Sequence, residues 1–202
     1  MERKKIVFLA EVAILAALIL LMSFTPLGYL RLPGLSVSLL MIPVAIGAVV
    51  VGPAAGAILG CLFGLTSFAQ CFMGDVLGGI LVAENVFFAF VVCVVSRTLA
   101  GLVCGLIFRA FKGSHKVGPV LVANLAASLL NTLLFLGFLA LLYFNLSFTP
   151  EQVEALGGLG SALTVVIVTA TSINVPIELA LCGVVGTAVS KAVLEINSAR
   201  IA

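Results

Sequence analysis

No tryptophan occurs in this chain, tyrosine occurs only twice and histidine once. Charged side chains make up 9% of the residues, against about a quarter in a soluble domain. So thin a polar coat cannot dissolve a core of this size in water, which excludes a soluble enzyme. The pattern G-x-x-x-x-G-K-[ST] is missing, so the chain encodes no phosphate-cradling loop for ATP. G-x-S-x-G and H-E-x-x-H are missing too, which leaves an intramembrane hydrolase without a nucleophile elbow or a zinc pair. His115 sits in a basic stretch, far from any intramembrane carboxylate or thiol cluster. Cys61, Cys71, Cys93, Cys104 and Cys182 form no C-x-x-C pair and fall mostly in apolar runs. They read as small packing residues, and neither a metal site nor a cofactor is expected.

What the chain has in abundance is apolar surface: 63% of its 202 residues are hydrophobic, and its mean hydropathy is +1.37. A bilayer crossing takes roughly 20 such residues, so the length accommodates about six or seven spans in a single domain, 1–202, and little else. Basic residues gather at Met1-Glu2-Arg3-Lys4-Lys5, at Arg109, Lys112 and Lys116, and at Lys191 and Arg200. The positive-inside rule places all three clusters in the cytoplasm. Asp75, Glu84, Glu151 and Glu154 then fall outside. No small-x-small cleavage site precedes Thr25-Pro26, so Ile6 to Met22 is read as an uncleaved first span rather than a secretory signal.

The expected architecture is all-α, with six transmembrane helices and both termini cytoplasmic. Span 1 covers about Ile6 to Ser23, and Thr25-Pro26 to Pro33-Gly34 breaks it. Span 2 runs from Leu35 to Val51, and the Gly52-Pro53 turn leads into span 3, Ala54 to Ala69. The glycine-rich segment Gln70 to Asn85 lies on or dips into the outer face, followed by an outer apolar loop. Span 4 is Val94 to Phe111, span 5 Val117 to Phe144, and span 6 Ser161 to Val193 after an outer loop containing Thr149-Pro150-Glu151-Gln152.

Gly56, Gly60 and Gly64 share one stripe of span 3, which in lipid lets a neighbouring backbone approach closely. Ala10, Ala13 and Ala17 line span 1, and the Ala13-x-x-x-Ala17 pair makes a flat groove for a helix of this chain or of a partner. Polar residues within spans are costly. Asn124, Ser128, Asn131 and Thr132 share one face of span 5, as Thr171, Asn174 and Glu178 do in span 6. Each stripe has two readings: hydrogen bonding between helices, or contact with a polar solute in a cavity between the two. Arg97 has three, namely pairing with Glu84, snorkelling outward, or contact with an anionic ligand. Arg31 in the first outer loop is a second cation of the same kind.

Several blocks together resemble the S components of energy-coupling factor (ECF) vitamin transporters. They are Ala13-x-x-x-Ala17, Phe24-Thr25-Pro26-Leu27-Gly28, and Ile42 to Ala48 running into Gly52-Pro53-Ala54-Ala55-Gly56-Ala57. To these are added Phe63-Gly64-Leu65-Thr66-Ser67-Phe68, Ser96-Arg97-Thr98-Leu99-Ala100-Gly101, and Asn174-Val175-Pro176-Ile177-Glu178. The resemblance implies a six-helix, high-affinity substrate-binding subunit of the bacterial plasma membrane, itself no enzyme. Its partners would be a transmembrane coupling subunit and two ABC ATPases, and no nucleic acid. It maps coupling-subunit docking onto Ala13 and Ala17. It maps substrate binding onto Arg97, Asn131 and Asn174, with Asn124, Glu178 and Arg31 as further positions. The nearest resemblance is to pantothenate-type components; pyridoxine, riboflavin, folate and cobalamin components share much of the framework. Relatives often carry Pro-Arg where this chain has Ser96-Arg97, which leaves the local loop geometry open. The alternative is an autonomous secondary transporter or channel, which the lack of an internal repeat disfavours.

Overall fold

A computed structural model describes residues 2–26, 28–32, 35–111, 116–143, 149–155 and 175–199. Helix α1 (Glu2–Ser23) is followed by the short strands β1 (Tyr29–Leu32) and β2 (Leu35–Ser38), then by α2 (Met41–Val50) and α3 (Pro53–Gln70). Next come α4 (Val76–Glu84), α5 (Val86–Ala110), α6 (Val117–Leu142), the short α7 (Pro150–Ala155), and α8 over 175–199. Among the described residues, five helices are long and apolar enough to cross a membrane: those at Lys5–Ser23, Pro53–Gln70, Val86–Ala110, Val117–Leu142 and Val175–Ile196. The apolar α2 is shorter, at 10 residues. The result is an α-helical membrane bundle carrying one small hairpin.

Two expectations about the elements are corrected. Residues 35–38 do not begin a membrane span: they form β2, antiparallel to β1 with Tyr29 opposite Ser38 and Arg31 opposite Ser36. Leu35-Ser36-Val37-Ser38 alternates apolar and polar, the period of a strand. Residues 86–93 are likewise no outer loop, because α5 is continuous from Val86 to Ala110. Asn85 starts it by accepting the Phe88 amide on its side chain. Ser96 and Arg97 do not interrupt it, since both turn back onto carbonyls of the preceding turn. The expected sixth span begins in residues outside the described set, and what is described of it is α8.

Close backbone contact between α3 and α5 sets the core. A Cβ on Gly56 would overlap the Gly101 carbonyl oxygen, and one on Gly60 would overlap that of Arg97. One on Gly64 would lie 2.6 Å from Val94 Cα. The glycine stripe thus lies along α5. Around this seam pack Val44, Ala48, Leu59, Phe63, Ala100, Cys104, Ala123 and Ala127, all fully buried. At the sharp turn into α3, Gly52 takes φ +125°, a conformation that side chains resist, and Pro53 follows in the first turn of the helix.

A second apolar cluster at the hairpin end joins α4, α5 and α6 through Leu81, Ala89, Val92, Leu139 and Tyr143. The Tyr143 hydroxyl lies 2.9 Å from both the Leu81 and the Asn85 carbonyl oxygens, which ties the end of α6 to the α4–α5 junction. Burial pushes this phenol up to about 12, so it keeps the proton that it donates. At the same end, Ser23 Oγ donates to Thr66 Oγ1 at 3.0 Å and the Gln70 amide donates to the Ser23 carbonyl, linking α1 to α3.

Candidate functional site

Arg97 is the centre of the site. It lies well inside α5, not at the junction with a loop, and only 8% of it is exposed. The turn before it, Val91–Val95, is a π segment, a wider turn whose carbonyls are not all used by the helix ladder. Arg97 Nη1 donates to Val92 O at 3.2 Å, to Cys93 O at 3.1 Å and to Ser96 Oγ at 3.3 Å. The Ser96 hydroxyl itself donates to Val92 O. Two rings enclose the guanidinium, with its central carbon 5.0 Å from the Phe63 ring centre and 4.7 Å from that of Phe135. Carbonyl dipoles and aromatic faces are what a cation needs in a low-dielectric interior. Among the described residues, the buried Arg97 Nε nevertheless has no hydrogen-bond partner.

Helix α6 supplies the facing wall. Asn131, one turn before Phe135, is buried, and its Oδ1 also lacks a partner among the described residues. Thr132 Oγ1 reaches Ser128 O at 3.3 Å and Glu178 Oε2 at 3.4 Å. Glu178, on α8, is 8% exposed. Its Oε1 accepts the backbone N–H of Ser38 at 3.1 Å. Helices α3, α5, α6 and α8 and strand β2 therefore converge on one cluster containing Arg97, Phe63, Phe135, Thr132 and Glu178.

The other expected residues are placed differently. Asn124 lies seven residues from Asn131, about 10 Å along the helix axis. It donates to its own Val120 carbonyl at 2.8 Å. Its Oδ1 is turned to Gly186, where an added Cβ would come within 2.6 Å of it. Asn124 thus belongs to the contact with the second π segment, Cys182–Gly186 of α8, and not to the Arg97 cluster. Arg31 lies in β1 opposite Ser36. Asn174 and Thr171 lie outside the described residues. Ala10, Ala13 and Ala17 are exposed on α1, whereas Val12 and Ile19 are buried, so the alanine stripe faces away from the bundle.

Sequence reasoning missed the two rings, the Ser38 amide and a thiol pair. Phe135 follows Asn131 by four residues and so shares its face, a spacing that could have found it. Phe63, one position before the stripe glycine Gly64, carried no comparable mark. Cys71 and Cys93 stand with their sulfurs 3.9 Å apart, and neither the lack of C-x-x-C nor their apolar surroundings signals that. Among the described residues no group of three or more His, Cys, Asp or Glu side chains is placed to hold a metal ion.

Residues 7–186 match the model of a protein family described as ECF transporter, substrate-specific component. No curated protein matches the chain.

Proposed function

The chain belongs to the family of ECF transporter substrate-specific components, and we propose that it is the high-affinity binding subunit for one water-soluble vitamin or precursor, an anionic one such as pantothenate first among them. The observation that carries the choice of an anion is Arg97: a buried guanidinium between two rings, with its Nε and the Asn131 Oδ1 on the facing helix both unpartnered among the described residues. A carboxylate would satisfy the guanidinium, and a hydroxyl or amide hydrogen on the same solute would satisfy Asn131. Phe63 and Phe135 offer apolar faces to the rest of the molecule. Asn174 is kept as a further contact on the strength of the resemblance alone.

The energy source lies in other chains. The exposed alanine face of α1, with Ala13 and Ala17 at its centre, is the surface we assign to the transmembrane coupling subunit, which in turn engages two ABC ATPases. In this reading the basic clusters and both termini face the cytoplasm of a bacterial cell, and the hairpin end of the bundle faces outward. The Arg97 cluster is then reached from outside.

The test is a binding screen of the detergent-purified chain against pantothenate, pyridoxine, riboflavin, folate and cobalamin, read by native mass spectrometry and calorimetry. One of them, with pantothenate expected, binds one to one with a Kd below micromolar. A screen in which none binds below micromolar overturns the reading.

A further inference from the structure

We propose that Glu178 is a positioning residue: it holds the hairpin of β1 and β2 onto the end of the bundle and does not itself touch the solute. A two-stranded hairpin is marginally stable alone and needs something to pack or bond against. Its base is closed by Leu39 N–H donating to Gly28 O at 2.9 Å, and Leu40, just beyond it, is fully buried. Among the described residues, a side chain of the bundle reaches the hairpin at the Ser38 backbone amide, which donates to Glu178 Oε1 at 3.1 Å across 140 residues of sequence. The other carboxylate oxygen faces Thr132 Oγ1 at 3.4 Å. One side chain therefore bridges β2, α6 and α8, and each of its oxygens already has a protein partner. The hairpin therefore meets the Arg97 cluster at Glu178.

The hydrogen count makes the idea separable from a charge-based role. Thr132 has one hydroxyl proton, and two acceptors, Ser128 O at 3.3 Å and Glu178 Oε2, compete for it. In Glu178→Gln the amide oxygen still accepts the Ser38 N–H. The new NH2 donates to Thr132 Oγ1, which frees the threonine proton for Ser128 O. Glutamine thus preserves both links without a charge, while alanine removes both. A residue that served as counter-ion or carried a proton would not be rescued by glutamine.

The hairpin contact is measured on the full chain in lipid nanodiscs by amide hydrogen exchange with mass-spectrometric readout. Amides of residues 28–39 are expected to exchange at least about tenfold faster in Glu178→Ala, the scale for losing one bond to a charged acceptor. Glu178→Gln stays close to the unsubstituted chain. Ser38→Pro, which deletes the donated hydrogen and leaves Glu178 in place, matches Glu178→Ala, and the double variant is no faster than either. Ser38→Ala, which keeps the amide, leaves the rate unchanged. Unchanged hairpin exchange in both Glu178→Ala and Ser38→Pro overturns the proposal, as does Glu178→Gln exchanging as fast as Glu178→Ala. The consequence for cargo rests on the function proposed above: bound pantothenate should dissociate faster from Glu178→Ala, in step with the exchange rate. Failure of any vitamin to bind the unsubstituted chain counts against that function, whereas the exchange result alone decides the role of Glu178.

Discussion

Arg97 spends one nitrogen on its own helix. Nη1 satisfies carbonyls opened by the π segment, and the planar guanidinium fits between Phe63 and Phe135. Lysine carries the same charge but has neither the plane nor the fork. In Arg97→Lys we expect pantothenate affinity to fall at least about tenfold, or about 1.4 kcal/mol, by calorimetry. Thermal stability should fall less than affinity, because lysine still reaches one carbonyl. The glycines give a second test at this scale. Gly60→Ala forces a methyl group against the Arg97 carbonyl oxygen and should destabilise the fold by about 1–3 kcal/mol. Gly137, on an exposed face of α6, has open space where its Cβ would go. Gly137→Ala should be neutral or stabilising by about 0.5–1 kcal/mol. Detergent melting curves of the two variants check both signs. Gly60 was legible in the sequence because a small-residue stripe needs only the helical period to be seen. Phe63 and Phe135 were not, since a phenylalanine in an apolar run looks the same whether it faces lipid, core or a cation.

At the scale of elements, helix ends and unusual turns carry the departures from expectation. The alternation in Leu35-Ser36-Val37-Ser38 was hidden by the apolar run that follows it, and so the hairpin was absorbed into a span. In α5, two polar residues in sequence resembled a break. The structure continues because Ser96 and Arg97 bond to carbonyls four and five residues back, which supports the helix instead of ending it. Near the hairpin end, α4 and α5 meet at Asn85, and the Tyr143 hydroxyl lies 2.9 Å from the carbonyl oxygens of Leu81, in α4, and of Asn85 itself. Tyr143→Phe keeps the ring and its edge-to-face contact with Phe88, whose centre lies 6.0 Å away, but deletes the hydroxyl. We expect faster amide exchange across residues 81–90 and a loss of about 1–2 kcal/mol in stability, with α1 to α3 unaffected. Exchange spread evenly over the bundle would contradict a local tether.

The whole molecule is a bundle whose hairpin end holds Arg97, Glu178 and the rings of Phe63 and Phe135, and whose first helix presents an alanine face outward. Its membrane character was plain from composition, because so few charges cannot coat a soluble fold. Its family was legible only through the resemblance, which the family match over 7–186 bears out. The contacts of Arg97 with Phe135 and of Thr132 with Glu178 were out of reach, since they join residues 38 and 46 positions apart through packing that no local pattern encodes. If Ala13 and Ala17 form the docking face, Ala13→Leu with Ala17→Leu should leave vitamin binding intact and abolish copurification with the coupling subunit, which a pull-down would show. Binding without pumping is the defining behaviour of such a subunit. It is measured most directly in proteoliposomes that contain this chain alone, given labelled pantothenate with ion gradients of either sign, and then again with the coupling subunit, both ATPases and ATP. We predict stoichiometric capture without accumulation in the first case and concentrative uptake in the second. Accumulation against a gradient by the chain alone would contradict the account.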